Sequence, residues 1–338
     1  MHTRFGPLAA LAASALIMTA CSTGDTDATA DAASATTTAG DTTAGDTTAQ
    51  VCLPVPGDSL VVLDDDMMLQ NSDNIIPAVN ESTAEDAAVM AALDAVSAVL
   101  DTTTLIQLNK AVDIDRQTSS EVAEQFVADQ GLTAPEPGSG PVVVGAANFS
   151  ENITLAEVYA AVLRSAGYDA TVRTIGNRET YMPALQSGEI DIVPEYAATA
   201  AEFINRSLNG ADAAAVASGD LAVTTAALGE LGPQFGLAFG EAAAAQDQNA
   251  FAVTTAFSEQ YGVTSLSDLV SNCEGVALGG PPECPERPFC QVGLEEVYGL
   301  EVADFAALDA GGPLTKTALR QGEIAVGLVF SSDGELGA

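Results

Sequence analysis

Residues 142–168 read VVVGAANFSENITLAEVYAAVLRSAGY, and residues 176–196 read GNRETYMPALQSGEIDIVPEY. The first stretch opens with a β-branched run typical of a buried strand. It continues with apolar residues at helical spacing until Gly167 ends the helix. Thr154 and Glu157 have the spacing of a capping box, which predicts where this helix begins. The same periodicity arguments predict a strand, a helix and a strand over residues 170–175, 180–187 and 190–193. Such alternation is typical of parallel α/β units.

The second half of the chain repeats this order of elements. The segment ALQSGEI at 184–190 matches ALRQGEI at 318–324, and an aromatic residue stands six positions after each final Ile. These residues are Tyr196 and Phe330. Because ligands bind beyond the carboxyl ends of strands in open α/β sheets, two facing lobes would present both rings to one cleft. The alternative is that both rings are core residues that cap a sheet. Strands are predicted over residues 251–254, 275–278, 305–308 and 324–330.

The N-terminal region has the features of an export signal and a tether. Residues 1–20 combine a short charged start with an apolar stretch that is too short for a membrane-spanning helix of ~20 residues. Met18-Thr19-Ala20-Cys21 resembles a bacterial lipobox, which would make Cys21 the acylated mature N-terminus; a plain signal peptide is the alternative. Small polar residues dominate 21–51 and predict a disordered tether. We therefore expect a lipid-anchored protein on the outer face of the bacterial cytoplasmic membrane.

The chain is strongly acidic. It has 47 Asp and Glu residues against 10 Lys and Arg, so its formal net charge is −37. Such a surface repels a phosphate backbone, which excludes nucleic acid as a partner. A solvated acidic shell that keeps the protein soluble is the simplest role for most of these charges. The residues that follow the tether suffice for two lobes with separate cores.

The cysteine pattern favours disulfides. Beyond Cys21 lie Cys52, Cys273, Cys284 and Cys290, which in an exported protein favour two disulfides with three pairings open. A metal site is the alternative. However, the only histidine is His2, within the export signal, and the cysteine spacing matches no zinc pattern. The sequence therefore predicts no metal and no cofactor.

Several motifs in order resemble one family. Together with ALGGPPE at 277–283, the segment at 297–324 and VFSSDG at 329–334, the two quoted stretches resemble the glycine betaine, choline and osmoprotectant-binding proteins of ABC importers. The resemblance covers nearly everything from Val142 onward. It implies an α/β protein with the type II periplasmic-binding-protein fold. In that fold two lobes are joined by two crossover strands and close on a ligand between them.

The order of segments departs from the family. In the family, the segment like VFSSDG precedes a strand, a second crossover and C-terminal helices, whereas this sequence ends soon after it. Similar segments stand at the front, where residues 60–79 resemble the strand and crossover and residues 83–132 resemble the helices. Residues 133–140 then link the old end to the old beginning. We therefore predict a circularly permuted order, which is feasible because domain termini often lie close together.

The permuted order assigns the parts of the chain. Residues 60–63 are expected in the same sheet as residues 324–330. The alternative is a truncated gene with a scrambled front end, and residues 52–132 would then fold as a separate domain. The predicted parts are a signal peptide (1–20), a tether (21–51), lobe one (75–235) and lobe two (52–74 plus 236–338).

Candidate ligand-binding residues follow from the family's ligands. Betaine and choline carry a quaternary ammonium group, which has no N–H to donate and is best recognised by aromatic faces. The resemblance assigns Tyr196 and Phe330 to two positions of an aromatic box. A third position aligns with Asn249, two residues before Phe251, and Thr199 matches a polar family position. Further candidates, for which packing, turn or capping roles are the alternative, are Asn148, Phe149, Tyr181, Arg178, Glu179, Glu195 and Asp333.

These observations favour a binding protein that captures an osmoprotectant for an ABC importer. The expected partners are a small-molecule osmolyte, the permease subunit and, through the lipid, the membrane; a monomer is expected. A binding protein for a different compatible solute and a sensor lipoprotein without transport are the alternatives. An enzyme is not predicted, because no histidine remains after the signal and no Ser or Cys has an evident base partner. Paired carboxylates are the enzyme-like feature that remains, and with 47 acidic residues such pairs are expected to occur by chance.

Overall fold

The computed structural model describes residues 51–336. The predicted signal peptide, the predicted lipidation site Cys21 and nearly all of the predicted tether lie outside that range. The strands are β1 (Leu60–Val62), β2 (Ile75–Asn80), β3 (Pro141–Ala147), β4 (Asp169–Gly176), β5 (Ile192–Tyr196), β6 (Leu237–Phe239), β7 (Asn249–Thr254), β8 (Val276–Gly280), β9 (Val302–Ala307) and β10 (Val326–Phe330).

Helices connect these strands and cover the sheets. They are α1 (Glu81–Ala84), α2 (Ala87–Ser97), α3 (Thr102–Asp113), α4 (Ser119–Asp129), α5 (Ser150–Ala166), α6 (Arg178–Gln186), α7 (Ala197–Asn209), α8 (Leu221–Phe235), α9 (Thr255–Tyr261), α10 (Leu266–Asn272), α11 (Gln291–Gly293) and α12 (Pro313–Gln321). Between residues 51 and 336 no individual helix has both the length and the apolar composition to cross a membrane. The helices α2 and α3 meet both conditions only as a pair bent by 91°.

The strands form two five-stranded sheets within the described residues, in the orders β4-β3-β5-β2-β6 and β9-β8-β10-β7-β1. Both sheets follow one pattern. Three parallel strands come first, then an antiparallel strand, then an edge strand that runs antiparallel to it. We call the structure around the first sheet lobe one and that around the second sheet lobe two. The two-lobed α/β architecture expected from the resemblance is therefore present.

Residues from the front of the chain belong to both sheets. As predicted, residues 60–63 contribute to the same sheet as residues 324–330. The strand β1 pairs with β7, where Val61 lies opposite Val253, and β10 pairs with the other side of β7. The strand β2 lies inside lobe one's sheet, between β5 and β6. Residues 52–132 therefore do not form a separate domain.

Lobe one has helices on both faces of its sheet, because parallel strands bury both faces. On one face α2 to α5 form an apolar cluster, which contains Ala92, Leu93, Val96 and Leu100. On the other face α6, α7 and α8 form a second cluster. Lobe two has its own cores, built around β7, β8 and β10. Each lobe thus provides a rigid support for the residues at its strand ends.

Two details of the sequence prediction need correction. The helix α5 begins at Ser150 after the N-cap Phe149, so Thr154 and Glu157 do not form a capping box. The Thr154 hydroxyl instead donates to the Ser150 carbonyl oxygen at 2.8 Å, inside the helix. In addition, the strand predicted over 190–193 begins at Ile192 and continues to Tyr196. That strand is longer at its carboxyl end because Tyr196 still pairs with Ile75 of β2.

Two chain crossings connect the lobes and lie side by side. The Ile75 amide donates to the Ala245 carbonyl at 3.0 Å, and the Ala243 amide donates to the Ile75 carbonyl at 2.8 Å. The Asp247 amide donates to the Asp73 carbonyl at 3.0 Å. Residues 73–75 and 243–247 therefore form the hinge of the molecule.

The four cysteines of the described chain form two disulfides, both in lobe two. Cys52 is bonded to Cys273, and Cys284 is bonded to Cys290. The first bond ties the chain segment before β1 to the end of α10. The second closes a short loop, which we call the disulfide loop (residues 284–290), at the edge of the interlobe cleft.

Candidate functional site

A cavity of about 360 Å³ lies between the lobes. It sits at the carboxyl ends of parallel strands from both sheets, because it is lined by Ala147 of β3, Tyr196 of β5 and Phe330 of β10. The volume is within the range of about 300–1,000 Å³ that is usual for small-molecule sites. In open α/β folds this edge of the sheet is where ligands bind. We call it the cleft cavity.

Three aromatic rings meet at one side of the cleft cavity, and we call Phe149, Tyr196 and Phe330 the aromatic cluster. The ring centroid of Phe149 lies 6.1 Å from that of Tyr196 and 5.3 Å from that of Phe330. Phe149 and Tyr196 belong to lobe one, and Phe330 belongs to lobe two. The rings therefore connect the lobes. Faces of this kind attract a cation that lies within about 6 Å of a ring centroid.

A second cavity, of about 740 Å³, lies on the other side of the contact between Phe149 and Phe330. Both cavities share Asn148, Phe149, Ala310 and Phe330. The second cavity has a buried Lys316, whose Nζ lies 2.5 Å from an Asp333 carboxylate oxygen. The pair of phenylalanine rings thus divides the space between the lobes.

A buried ion pair supports the floor of the cleft cavity. Arg178 binds Glu195 through two hydrogen bonds, Nε to Oε1 at 3.1 Å and Nη2 to Oε2 at 2.8 Å. The same Nη2 donates to Thr199 Oγ1 at 2.7 Å, and the Tyr181 hydroxyl donates to Glu195 Oε1 at 2.7 Å. Burial, together with the Glu195 carboxylate, raises the pKa of Tyr181 well above its ordinary value. Because every charge has partners, the buried pair is electrically compensated.

Two buried carboxyl groups stand behind Tyr196. Glu151 accepts hydrogen bonds from the Tyr196 hydroxyl at 2.8 Å, from Asn109 Nδ2 at 2.6 Å and from the Ser332 hydroxyl. Asp247 accepts from the Ser332 amide at 3.1 Å. Burial raises the pKa of Glu151, and burial together with the Glu151 charge raises the pKa of Asp247 well above its ordinary value. Two buried carboxylates cannot both ionise cheaply, so we expect the pair to retain a proton.

A third buried carboxyl group, Asp73 at the hinge, caps the helix that follows Tyr196. Its Oδ1 accepts from the amides of Ala198 at 2.8 Å and Thr199 at 3.1 Å, at the start of α7. Burial raises the pKa of Asp73 to about 7, against the lowering effect of Arg178 and of these amides. The N-terminus of α7 is thereby attached to the hinge.

An ion pair joins the lobes at the rim of the cleft cavity. Arg287 of the disulfide loop binds both carboxylate oxygens of Glu179 at the start of α6, with Nη2 distances of 3.1 and 2.9 Å. Arg287 also lies 3.3 Å from a carboxylate oxygen of Glu283. Burial alone would raise the pKa of Glu179, but the Arg287 charge and hydrogen bonds lower it below the ordinary value. The rim ion pair thus forms between one residue of each lobe.

Most of the residues suggested by the sequence line the cleft cavity. They are Asn148, Phe149, Arg178, Glu179, Tyr181, Tyr196, Thr199, Asn249 and Phe330. Asp333 lines the second cavity instead, and Glu195 is buried as the partner of Arg178. Phe251 does not line the cleft cavity: the ring is 1% exposed and packs in the core of lobe two. Asn249 stands at the cleft edge of β7, and a residue two positions further along a strand lies about 7 Å deeper. Asn249 Nδ2 donates to the Phe289 carbonyl at 2.9 Å, which holds the disulfide loop.

Other lining residues escaped the sequence argument. The acids Asp73 and Asp247 stand in the two crossings, where the sequence carries no motif. Phe203 and Arg206 lie on α7, four and seven positions after Thr199. This spacing places them on the same helix face as Thr199, so the sequence did contain a signal that could have identified them.

Comparison with known proteins gives three similarities. The model of a family described as the substrate binding domain of ABC-type glycine betaine transport systems matches residues 18–129 and 140–338. A glycine-betaine-binding protein of Pseudomonas aeruginosa is 29% identical over 204 residues, which are 57% of this chain and 62% of that relative. The chain thus spans less than two thirds of the relative's length. A crystal structure of a glycine betaine/carnitine/choline ABC transporter aligns with a TM-score of 0.37 and 16% identity, covering 59% of this chain and 70% of that one.

Proposed function

The chain belongs to the family of substrate binding domains of ABC-type glycine betaine transport systems, and from that premise we propose that it captures a quaternary ammonium osmolyte in the cleft cavity for delivery to an ABC permease. As a member of a family of substrate-binding domains, it is a binding protein and not an enzyme. The observation that carries the proposal is the aromatic cluster at the junction of the lobes.

The aromatic cluster has the chemistry that a quaternary ammonium group requires. Such a cation has no N–H, so hydrogen-bond acceptors cannot hold it, whereas ring faces attract the charge and pack against the methyl groups. The hydrogen bond from Tyr196 to Glu151 orients the tyrosine ring and places a carboxyl group behind it.

Closure of the lobes follows from the same contacts. Phe149 and Phe330 meet across the cleft, and the rim ion pair connects Glu179 with Arg287. Both contacts need the lobes to be close together. The hinge consists of only two short chain segments, residues 73–75 and 243–247. We propose that the ligand enters an open form and that these contacts form around it, as in hinge closure of binding proteins.

Titration calorimetry of the purified chain with glycine betaine and choline tests this function. We expect micromolar binding of at least one of them, and a loss of about tenfold or more for Tyr196→Ala, because a ring face contributes up to ~2 kcal/mol in a desolvated site. Tyr196→Phe keeps the ring and serves as the matched control that retains binding. No heat with any quaternary amine, from a folded protein, would overturn the proposal.

The location of the protein is a separate proposal from the sequence. We propose that Cys21 is acylated and that the protein is held on the outer face of the cytoplasmic membrane, because Met18 to Cys21 resembles a lipobox. By analogy with the family, we propose that it acts as a monomer. Mass spectrometry of the membrane-extracted protein should find an acylated Cys21, and Cys21→Ser should release the protein from the membrane fraction. An unmodified, soluble wild-type chain would contradict this.

We also propose that the order of segments is a circular permutation. In lobe one the chain runs from the antiparallel strand β2 to β3, β4, β5 and then the edge strand β6. In lobe two it runs from β7 to β8, β9 and β10, and the equivalent edge position is filled by β1 from the beginning of the chain. The internal similarity of the sheets supports the proposal. So does the gap in the family match at residues 130–139, which overlaps the predicted linker at 133–140.

A further inference from the structure

One face of α7 forms a wall of the cleft cavity. The residues on this wall are Thr199, Glu202, Phe203, Arg206 and Ser207. Counted from Thr199, the other four residues follow at three, four, seven and eight positions, which is the spacing of a single helix face. At a rise of 1.5 Å per residue, this wall is about 12 Å long. Since Tyr196 is the residue just before α7, the cavity extends from the aromatic cluster along the helix and is elongated.

Arg206 stands on this wall without a partner. Among residues 51–336 its guanidinium has no ion pair and no side-chain hydrogen bond, and its Nε is buried. The other arginines of the cleft cavity are paired, Arg178 with Glu195 and Arg287 with Glu179. A guanidinium carries five donors, and buried polar atoms normally have a hydrogen-bond partner. In a chain with 47 acids, an unpaired arginine in a cavity therefore points to a missing anionic partner.

The neighbouring acid on the same wall is not available to Arg206. Glu202 lies one helical turn before it, and Glu202 Oε1 accepts hydrogen bonds from the amides of Val216 at 2.6 Å and Ala217 at 2.8 Å. These bonds hold the Glu202 carboxylate against the loop that follows α7. The free guanidinium is thus left for a group that enters the cavity from solvent.

We propose that Arg206 is the anion anchor of the cleft cavity, and that the ligand is a zwitterion whose carboxylate is separated from its trimethylammonium group by several methylenes. The inference rests on the proposed function, because it takes the aromatic cluster as the site of the cation. Tyr196 is the N-cap of α7 and Arg206 stands ten positions later, which puts their Cα atoms about 15 Å apart at the helical rise. Side chains lean toward the helix N-terminus, which brings the guanidinium nearer to Tyr196. The remaining gap is longer than the single methylene of glycine betaine.

The walls between the two ends suit a methylene chain. Phe203 lines the cavity from α7, and Phe289 lines it from the disulfide loop. Phe289 is 8% exposed, and its carbonyl accepts hydrogen bonds from Gln70 at 3.0 Å and Asn249 at 2.9 Å, so the loop is held in place. These two rings give a methylene chain an apolar surface between the cation site and the anion anchor, which favours a ligand that is charged at both ends and apolar in the middle.

A homologous series of ligands tests the anchor. The probes are glycine betaine, trimethylammonio-butyrate, trimethylammonio-hexanoate, and choline as the cation without a carboxylate. We expect at least one longer zwitterion to bind about tenfold tighter than glycine betaine, because a charge-assisted pair forms only when the carboxylate reaches Arg206. Arg206→Gln should abolish that advantage without weakening the binding of choline, which has no carboxylate to lose a partner. Arg206→Lys keeps the positive charge but not the planar guanidinium that binds a carboxylate through two hydrogen bonds, so it should retain part of the advantage.

A matched control removes one positive charge elsewhere on the same lobe. Arg173→Gln breaks an exposed pair with Glu189 outside both cavities and should leave the whole series unchanged. Equal affinity across the series, or a longer-chain advantage that survives Arg206→Gln in a folded variant, would overturn the anchor while the proposed function stands. Binding of no quaternary amine at all, choline included, would overturn both.

Discussion

The hydroxyl of Tyr196 donates a 2.8 Å hydrogen bond to Glu151, a carboxyl group that is only 4% exposed and lies at the start of α5. Burial raises the pKa of both groups, and the Glu151 carboxyl group adds to the rise at Tyr196. Ser332, which follows β10 of lobe two, donates to the same carboxyl group. The ring that we propose to face the ligand is therefore attached to a buried acid that also holds the other lobe.

The first prediction concerns the pH dependence of stability. The pKa of Asp73 rises from 3.8 to about 7 in the folded protein. A raised carboxyl pKa gives stability that is complete below the unfolded value and is lost as the pH rises through the folded value. Through Asp73 alone, the protein should be about 2–3 kcal/mol less stable at pH 8 than at pH 5. Asp73→Asn keeps an oxygen that can accept from the α7 amides. In urea unfolding, this variant should lose the part of the stability difference between pH 5 and pH 8 that Asp73 causes.

The control for this prediction is another helix-capping aspartate. Asp101 caps α3, and the hydrogen bond from the Thr104 amide lowers its pKa. Its contribution to stability is lost only as the pH falls below its ordinary value, outside the window from pH 5 to 8. Asp101→Asn should therefore leave the difference between the two pH values intact. An Asp73→Asn variant with the full wild-type difference would show that Asp73 does not carry it.

The second prediction concerns the buried ion pair of Arg178 and Glu195. Glu195→Gln leaves the guanidinium in a buried site without its counter-charge, so we expect a loss of about 3–5 kcal/mol in the free energy of unfolding. The comparison is the exposed pair of Arg173 and Glu189, where Glu189→Gln should cost less than about 1 kcal/mol. Denaturant unfolding measures both. Similar losses for the two variants would contradict the structural argument.

The third prediction concerns the rim ion pair. Because Glu179 and Arg287 belong to different lobes, Arg287→Gln should weaken the closed form and speed ligand release by a few-fold, as expected for a partly exposed pair worth up to ~1 kcal/mol. Stopped-flow release of a bound quaternary amine, at low and high salt, measures this. The wild type should lose its advantage at high salt, since exposed charges are screened.

The rim variant needs a test that separates closure from ligand contact. Glu179→Gln removes the same pair from the side of lobe one and should speed release by the same few-fold. The double variant Glu179→Gln with Arg287→Gln should then release the ligand no faster than either single variant. Additive effects of the two substitutions would show that Arg287 acts by another route than the pair with Glu179.

The fourth prediction tests the order of segments. In the test variant, residues 137–338 come first, a short Gly-Ser linker follows, and residues 51–136 come last. This variant should fold and bind the ligand with properties close to those of the wild type. The cut lies in a segment without helix or strand, where new termini are tolerated. Circular dichroism and calorimetry check the outcome.

A cut inside a central strand provides the contrast. The strand β2 is fully buried and pairs with β5 and β6 on its two sides, so a break between Pro77 and Ala78 should prevent folding. If the rearranged chain cut at the linker also failed to fold, the proposed permutation would lose its support.

The sequence alone predicted where most strands and helices lie. The run at Val142 to Val144 lies within β3, and Gly167 ends α5 in the left-handed region with φ of 107°. Local spacing carries this information because the helix and the strand each have one period. The apparent capping box at Thr154 failed because its residues fit the interior of α5 equally well, and the packing of α5 on the sheet extends the helix to Ser150. Local pattern cannot choose between two such starts.

The sequence also determined which two aromatic residues stand at equivalent strand ends in the repeated halves, Tyr196 and Phe330, and both line the cleft cavity. Only the tertiary structure decided what surrounds them. Glu151, Asp247 and Ser332 are far apart in sequence, and their contact depends on the hinge. The pairing of the cysteines and the isolation of Arg206 likewise depend on how the lobes pack. Periodicity reports the neighbours of a residue along the chain, whereas burial, charge pairing and cavity shape depend on residues brought together by the fold.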